Sequence, residues 1–442
     1  MFMHGQTRID KIAIVNATII DGSGEDPIEN GTVVIRNQKI DCVGDCDVPN
    51  NAKIIDATSK FVLPGLIDTH VHYSTNGWID SFPIPGFVPD VSEDYPYAGV
   101  LEELKTNPER FHQSYLCSGV TSVFDTGGYS WLFDIRDRAS NSLDAPRFYT
   151  TGPLLSFEER IFPNPLADGF LFNIADEKSL SEGLHLLIDK NTDGINLHNI
   201  HNAPSLDILE DRIKKVVVHF QNKDIQLMAF SKGLEEAKLA IKLGIKTFIY
   251  SIDQELVDDE FLNLAKEHDI TYVPTLGVAE ALVNAQKGKV EADSNYLQCL
   301  DEITEEKIKS TAQYYNQQPN SASEKVNIIP DPKLASIRLR NLLKIKNAGI
   351  RIAMGSSAGV PFLFHGPASH NEMKEMVRAG LSPMEVIVAS TKNGAHVIGN
   401  DKIGVLKPGN LADIIILNEN PLNDIDKIQS IETVIFNGNV VK

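Results

Sequence analysis

The chain has 442 residues, 42% hydrophobic and 23% charged, an ordinary soluble globular mixture long enough for several domains or for one barrel with attachments. Its 60 acidic against 41 basic side chains leave a formal charge of −19, which argues against nucleic acid or an anionic membrane as the main partner. No run approaches the ~18 apolar residues of a membrane span, and the opening MFMHGQTRIDKIAIVNATII lacks an apolar core behind basic residues, so a cytoplasmic protein is expected.

Taken in chain order, the first sixty or so residues read as short strands: KIAIVNATIIDG, GTVVIRNQKIDCVG and AKIIDA are β-branched runs punctuated by Gly, Asn and Asp. Next comes PGLIDTHVH, where His70 and His72 stand two apart and share one face of a strand. Apolar runs then alternate with helical patterns. VTSVFDTG, RFYTTG, DGINLHN, IQLMAF, IKTFIYS, ITYVPTL and IRIAMGS complete a set of eight candidate strands with GLIDTHVH. Among the helical segments, SLDILEDRIKKVVVHFQN places Ile208, Ile213, Val216 and Val217 at helical spacing, and LEEAKLAIKLG is closed by Gly244. This alternation predicts a parallel (β/α)₈ barrel with its site at the C-terminal strand ends, where the two histidines fall. Two insertions interrupt it: the aromatic and proline-rich segment after His72, with Trp78, Phe82, Phe87, Tyr95 and Tyr97, and a polar stretch around 280–333. Loops of that length serve as lids or specificity elements, and packing on the barrel rim is the alternative. The last forty or so residues return to strands, GNLADIIILNENP and SIETVIFNGNVVK, so both ends are expected in one small β domain. Cys42, Cys46, Cys117 and Cys299 show no CxxC spacing and predict no disulfide framework.

With PGLIDTHVH, GVTSVFDTGG, APRFYTTGPLLS, VPTL, GSSAGVP, the segment HGPASHNEMKEMVRAGLSPMEVIVASTKNGAHVIG and the tail GVLKPGNLADIIILNENPL in this order, the chain resembles the amidohydrolase superfamily, in its prolidase-like and imidazolonepropionase-like branch. The resemblance implies a barrel over residues 62–395, a β-sandwich built from residues 1–61 and 396–442, and hydrolysis of amide or other C–N bonds by metal-activated water. It also implies a lysine on the fourth strand, histidines on the fifth and sixth and an aspartate after the eighth. Those positions carry Asn196, Met228, Tyr250 and Ser357. Asparagine forms no carbamate and a thioether is a poor ligand for zinc-like ions. The two-metal centre is therefore expected to be absent. At most one divalent, zinc-like metal, weakly held by His70 and His72, is expected.

His198, two residues after Asn196, is a candidate third imidazole; a hydrogen-bonded residue at the barrel mouth is its alternative. His198, Tyr250 and Asp125 are the candidate catalytic residues, with Asp125 as general base or as a carboxylate shaping the Gly127-Gly128 turn. His70, His72, Asn196, Met228 and Ser357 are expected to line a substrate pocket. His201 and His365 are placed near the mouth, the former solvated or substrate-facing. Two classes of function remain. One is an enzyme acting on a small organic substrate, by hydrolysis of an amide or other C–N bond or by metal-independent lyase, isomerase or cyclisation chemistry. The other is a non-catalytic small-molecule-binding protein. Homo-oligomerisation is expected by analogy alone.

Overall fold

The β-branched runs at the two ends of the chain find each other. In the computed structural model, which describes residues 11–81, 88–159, 169–223, 225–290, 297–317 and 332–442, Lys11–Ile19, Ile28–Arg36 and Lys39–Gly44 pair antiparallel in that order. Asn37, at φ 57°, makes the tight turn between the last two. Lys53–Asp56 and Phe61–Pro64 pair parallel to Lys11–Ile19, and Ile414–Leu417 then joins Phe61–Pro64 and carries on to Ile431–Phe436 and Asn439–Val440. The result is one eight-stranded mixed sheet holding residues from both ends of the chain. Its apolar side chains, among them Ile12, Ile14, Val33, Ile35, Val62, Ile414 and Ile435, form their own buried cluster.

The middle of the chain is α/β. Each of the eight expected strands is present: Leu66–Val71, Val120–Asp125, Arg147–Thr150, Gly194–His198, Gln226–Ala229, Thr247–Ile249, Thr271–Val273 and Arg351–Ile352. Leu154–Ser156 and Leu171–Asn173 are additional strands, separated from Arg147–Thr150 by the Gly152-Pro153 break. All pair parallel, in a three-stranded and a seven-stranded sheet. Backbone bonds cross both seams between these sheets. Asp193 N donates to Thr150 O at 3.2 Å, Thr69 N to Met354 O at 3.1 Å and Ser357 N to His70 O at 2.7 Å. Between strands, the helix Leu206–Phe220 starts at Ser205, whose hydroxyl accepts from Ile208 N at 3.3 Å. It buries Leu209, Ile213, Val216 and Phe220. Ile208, assigned to the inward face by its spacing, is 37% exposed because the buried stripe begins one residue later. The helix Leu234–Lys242 ends as expected, with Gly244 at φ 101°.

The two insertions pack on each other. Trp78 is fully buried, its indole donating to Thr311 Oγ1 at 2.9 Å, and Lys307 pairs with Asp80 at 2.7 Å beneath the Tyr95 ring. Tyr97 meets Tyr129 through their hydroxyls at 3.4 Å. Trp78, Tyr95 and Tyr97 are thus packing elements, the alternative weighed against a lid. Phe82 and Phe87 lie outside the described residues.

The cysteine expectation is corrected: Cys42–Cys46 and Cys117–Cys299 are disulfides. The second closes a separation of 182 residues that no spacing rule detects, because the fold alone brings the end of the helix Glu109–Cys117 to Cys299. Disulfides persist in oxidising compartments and are rare in a reducing cytosol, so both bridges stand against the cytoplasmic expectation. Among the described residues no helix is long and apolar enough to cross a membrane.

Candidate functional site

The C-terminal ends of the parallel strands converge on a cavity of about 190 Å³. This is below the ~300–1,000 Å³ usual for ligand pockets, so it suits a small molecule. His70, His72, Asn196, His198 and Tyr250 line it together with Thr126 and Thr75, and Leu154, Phe170, Val278, Leu282 and Val360 give it an apolar outer wall. Val278 and Leu282 come from the helix Gly277–Lys287, at the start of the second insertion.

His70 is the hub of one wall. Its Nε2 stands 3.1 Å from His72 Nε2, its Nδ1 3.1 Å from Thr275 Oγ1, and the Tyr250 ring meets it edge-on at 4.6 Å. A nitrogen pair at 3.1 Å requires one donor and one acceptor, so the two imidazoles satisfy each other. The backbone beneath is fixed by Asp68, buried with no exposed surface. Its carboxylate accepts from Ser356 N at 3.0 Å, Ser356 Oγ at 2.6 Å, Ser369 Oγ at 2.6 Å and His70 N at 3.3 Å. Thr275, Tyr250 and Ser357 adopt φ of 49°, 63° and 57°. Such backbone costs of order 1–3 kcal/mol per residue and clusters at functional sites; here all three residues touch His70. Gly359 allows the last close approach, since a Cβ there would lie 2.3 Å from the His72 carbonyl oxygen.

The opposite wall is different. Asn196 Nδ2 donates to Thr126 O at 2.6 Å, which fixes the amide orientation, because the reverse would set oxygen against oxygen. Asn196 Oδ1, Thr126 Oγ1 and His198 Nδ1 are buried without a hydrogen-bond partner. Three orphaned polar atoms on one wall are an exception to the rule that buried polar groups are paired, and they leave that wall able to hydrogen-bond a molecule in the cavity.

The remaining expected residues are near but outside the lining. Met228 is fully buried in the apolar cluster with Ile67, Phe124, Ile249 and Val273. Ser357 stands behind Tyr250, their hydroxyls 3.0 Å apart. Asp125 accepts from Tyr73 N at 2.6 Å and Gly127 N at 3.0 Å, which puts its carboxylate on the turn. His201 accepts from Lys232 N at 3.3 Å, and His365 bonds the His72 carbonyl at 3.0 Å while stacking on Phe111. Thr126 and Thr275 had no role assigned from sequence. Thr126, within VFDTGG, follows directly on a strand end and Thr275, within VPTL, comes one residue later after Pro274, and that position was the available signal.

Burial favours the neutral forms of the site's histidines. It lowers His70 well below the ordinary histidine range, with His72 and His198 adding to the effect. Burial takes His72 down to about 4 against a hydrogen bond to the Gly127 backbone, and takes His198 to about 3 with help from His72, His201 and Lys232. It pushes Asp125 up to about 7, offset by the Tyr73 and Gly127 amides, and raises Tyr250 against the bond to Ser357.

A metal finds only part of a donor set. His70 and His72 converge, but among the described residues no group of three His, Cys, Asp or Glu side chains could hold an ion, and catalytic zinc normally takes three protein ligands. A two-metal centre does not fit, since Asn196, Met228, Tyr250 and Ser357 provide neither the anionic bridge nor the second set of ligands.

Residues 61–441 match the amidohydrolase family. The chain is 24% identical to the ochratoxinase of Aspergillus niger, over 96% of its own length and 85% of the relative's. It is likewise 24% identical to a 5-methylthioadenosine/S-adenosylhomocysteine deaminase of Halothermothrix orenii, over 98% and 94% of the two chains. Among solved structures, a Xaa-Pro dipeptidase with bound methionine in its active site superposes with a TM-score of 0.71 at 22% identity, covering 98% of this chain and 100% of that one.

Proposed function

The chain belongs to the amidohydrolase family, and we propose from that membership and the pocket that it hydrolyses an amide or other C–N bond in a small, largely apolar organic substrate without a two-metal centre. The parallel sheets, bonded across both seams, are read as one (β/α)₈ barrel, and the two-ended sheet as the core of its β-sandwich. One observation carries the functional reading: Thr126 Oγ1, Asn196 Oδ1 and His198 Nδ1 are buried and unpartnered on one wall of the cavity at the strand ends.

In this reading His198, neutral at pH 7, takes the proton of a water that attacks the substrate carbonyl carbon. The Tyr250 hydroxyl, backed by Ser357, donates to the developing oxyanion. The proton then passes to the departing nitrogen as the C–N bond breaks. Asp125 positions the Gly127 turn that borders the cavity. At most one divalent metal is held, weakly, at His70 and His72, and no step is assigned to it.

A panel of small amides, lactams and lactones with apolar bodies, followed by mass spectrometry, tests the reading. Hydrolysis of a panel member should fall by ~10²-fold or more in His198→Gln, the scale of a lost general base, with the melting temperature retained. A second reading, a non-catalytic small-molecule-binding member, is favoured by the depression of His198 to about 3, far from the working range of a general base. Ligand-induced stabilisation without turnover of any panel member would establish it.

A further inference from the structure

We propose that Asn196 selects ligands carrying a free N–H on the same side as an adjacent carbonyl, so that the pocket accepts a small lactam and rejects the matching lactone or N-alkylated analogue. The inference deepens the hydrolytic reading by naming the substrate class, and rests on it for the choice of this cavity as the substrate site.

The argument is one of donors and acceptors. Asn196 is 2% exposed, and its Nδ2 is committed to the Thr126 carbonyl. What remains is Oδ1, which only accepts, and it has no partner. A ligand must therefore bring a donor. The Thr126 hydroxyl, on a fully buried residue, is also unpartnered and can give its proton to a ligand acceptor. His198 lies two residues along the same strand, Gly194–His198, and so on the same face. Its unpartnered Nδ1 lies in the same lining. A donor for Asn196 next to an acceptor for Thr126 is the edge of a lactam, whose ring holds N–H and C=O on the same side, whereas an open-chain secondary amide is trans and sets them on opposite sides. A lactone of the same shape sets its ring oxygen against Asn196 Oδ1, and a methyl on nitrogen removes the donor and adds bulk. Leaving a buried acceptor unpaired is the more costly side of hydrogen bonding, and this asymmetry makes a polar site selective. The apolar wall of Leu154, Phe170, Val278, Leu282 and Val360 takes the body of the molecule.

The test uses three probes of nearly equal shape on the full chain: oxindole, N-methyloxindole and benzofuran-2(3H)-one, with dissociation constants from calorimetry. The wild type should bind oxindole at least about tenfold more tightly than either analogue. Asn196→Leu should bring the three within about threefold of one another. Thr126→Val, which keeps shape and leaves Asn196 in place, should weaken oxindole and benzofuranone together and preserve their ratio; this variant and the wild-type ratio carry the test if Asn196→Leu does not fold. Equal wild-type affinities, a ratio that survives Asn196→Leu, or no binding of any probe at millimolar concentration overturns the proposal. The constants come from early, turnover-free equilibration of fresh mixtures, checked by mass spectrometry. A failure of hydrolysis therefore leaves the binding ratios standing, and a failure of the ratios leaves the hydrolysis test intact.

Discussion

The two walls of the cavity descend from one strand-end plan and have opposite hydrogen-bond economies. On the His70 side the lining side chains are engaged: imidazole to imidazole, imidazole to Thr275, Tyr250 to Ser357, and the backbone beneath held four times over by Asp68. On the Asn196 side Oδ1, the Thr126 hydroxyl and His198 Nδ1 wait unpaired. A satisfied wall holds shape, and an unsatisfied wall gives up stability that only a ligand restores.

The largest expected contrast comes from cutting each wall once. Asp68→Ala removes a buried carboxylate and strands two hydroxyls and two amides, so urea unfolding should show a loss of about 3–5 kcal/mol. Thr126→Val removes a hydroxyl that has no partner, and should lie within about 1 kcal/mol of the wild type or above it. Equal losses at the two positions would erase the distinction between the walls.

Next in size, Cys117→Ser paired with Cys299→Ser should cost about 2–4 kcal/mol in the same assay, and thiol titration of the unfolded, unreduced wild type should find no free cysteine. Four titratable thiols would refute both bridges.

Acid should unfold the protein early. His72, His112, His198, His365 and His370 are held at about 3 to 4 by burial, so between pH 6.5 and about 4 the unfolded chain binds protons there that the folded chain does not. Their contribution is present above pH 6.5 and is lost as pH falls. Asp125 at about 7 and Glu372 at about 8 act the other way, stabilising on acidification through the same window, and burial raises Asp68, Asp193, Asp253, Glu375 and Asp413 in the same direction. His70, held well below the histidine range, and His201 at about 4 add to the histidine side. The net slope of stability from pH 6.5 to 5 should be positive with pH, since the depressed histidines are the groups whose unfolded form titrates within that window. A flat or inverted slope in urea midpoints would contradict the neutral histidine cluster.

The framework was legible because it is periodic. Eight apolar runs and a helix stop at Gly244 survive in the sequence as patterns, and each became the expected element. His70, His72, Asn196, His198 and Tyr250 were legible by their place within or just after a strand of the alternating pattern. Met228 and Ser357 share such places yet lie outside the lining, because a strand-end position does not say whether a side chain ends in the apolar layer or behind a neighbour. Thr126 and Thr275 were missed since a threonine carries no ligand signature, and their roles arise from partners distant in sequence. The disulfide between Cys117 and Cys299 was illegible for the same reason.

A smaller effect sharpens the satisfied wall. Tyr250→Phe removes one partly buried bond to Ser357 and should cost about 1 kcal/mol by thermal or urea unfolding. No change would mean that the two hydroxyls are not paired.

The most direct measurement is elemental analysis of protein purified without chelators, combined with the hydrolysis panel before and after metal stripping. The account predicts at most one equivalent of divalent metal per chain, removable by mild chelation with hydrolysis retained. Two tightly held equivalents, or hydrolysis abolished by stripping and restored by zinc, would contradict it.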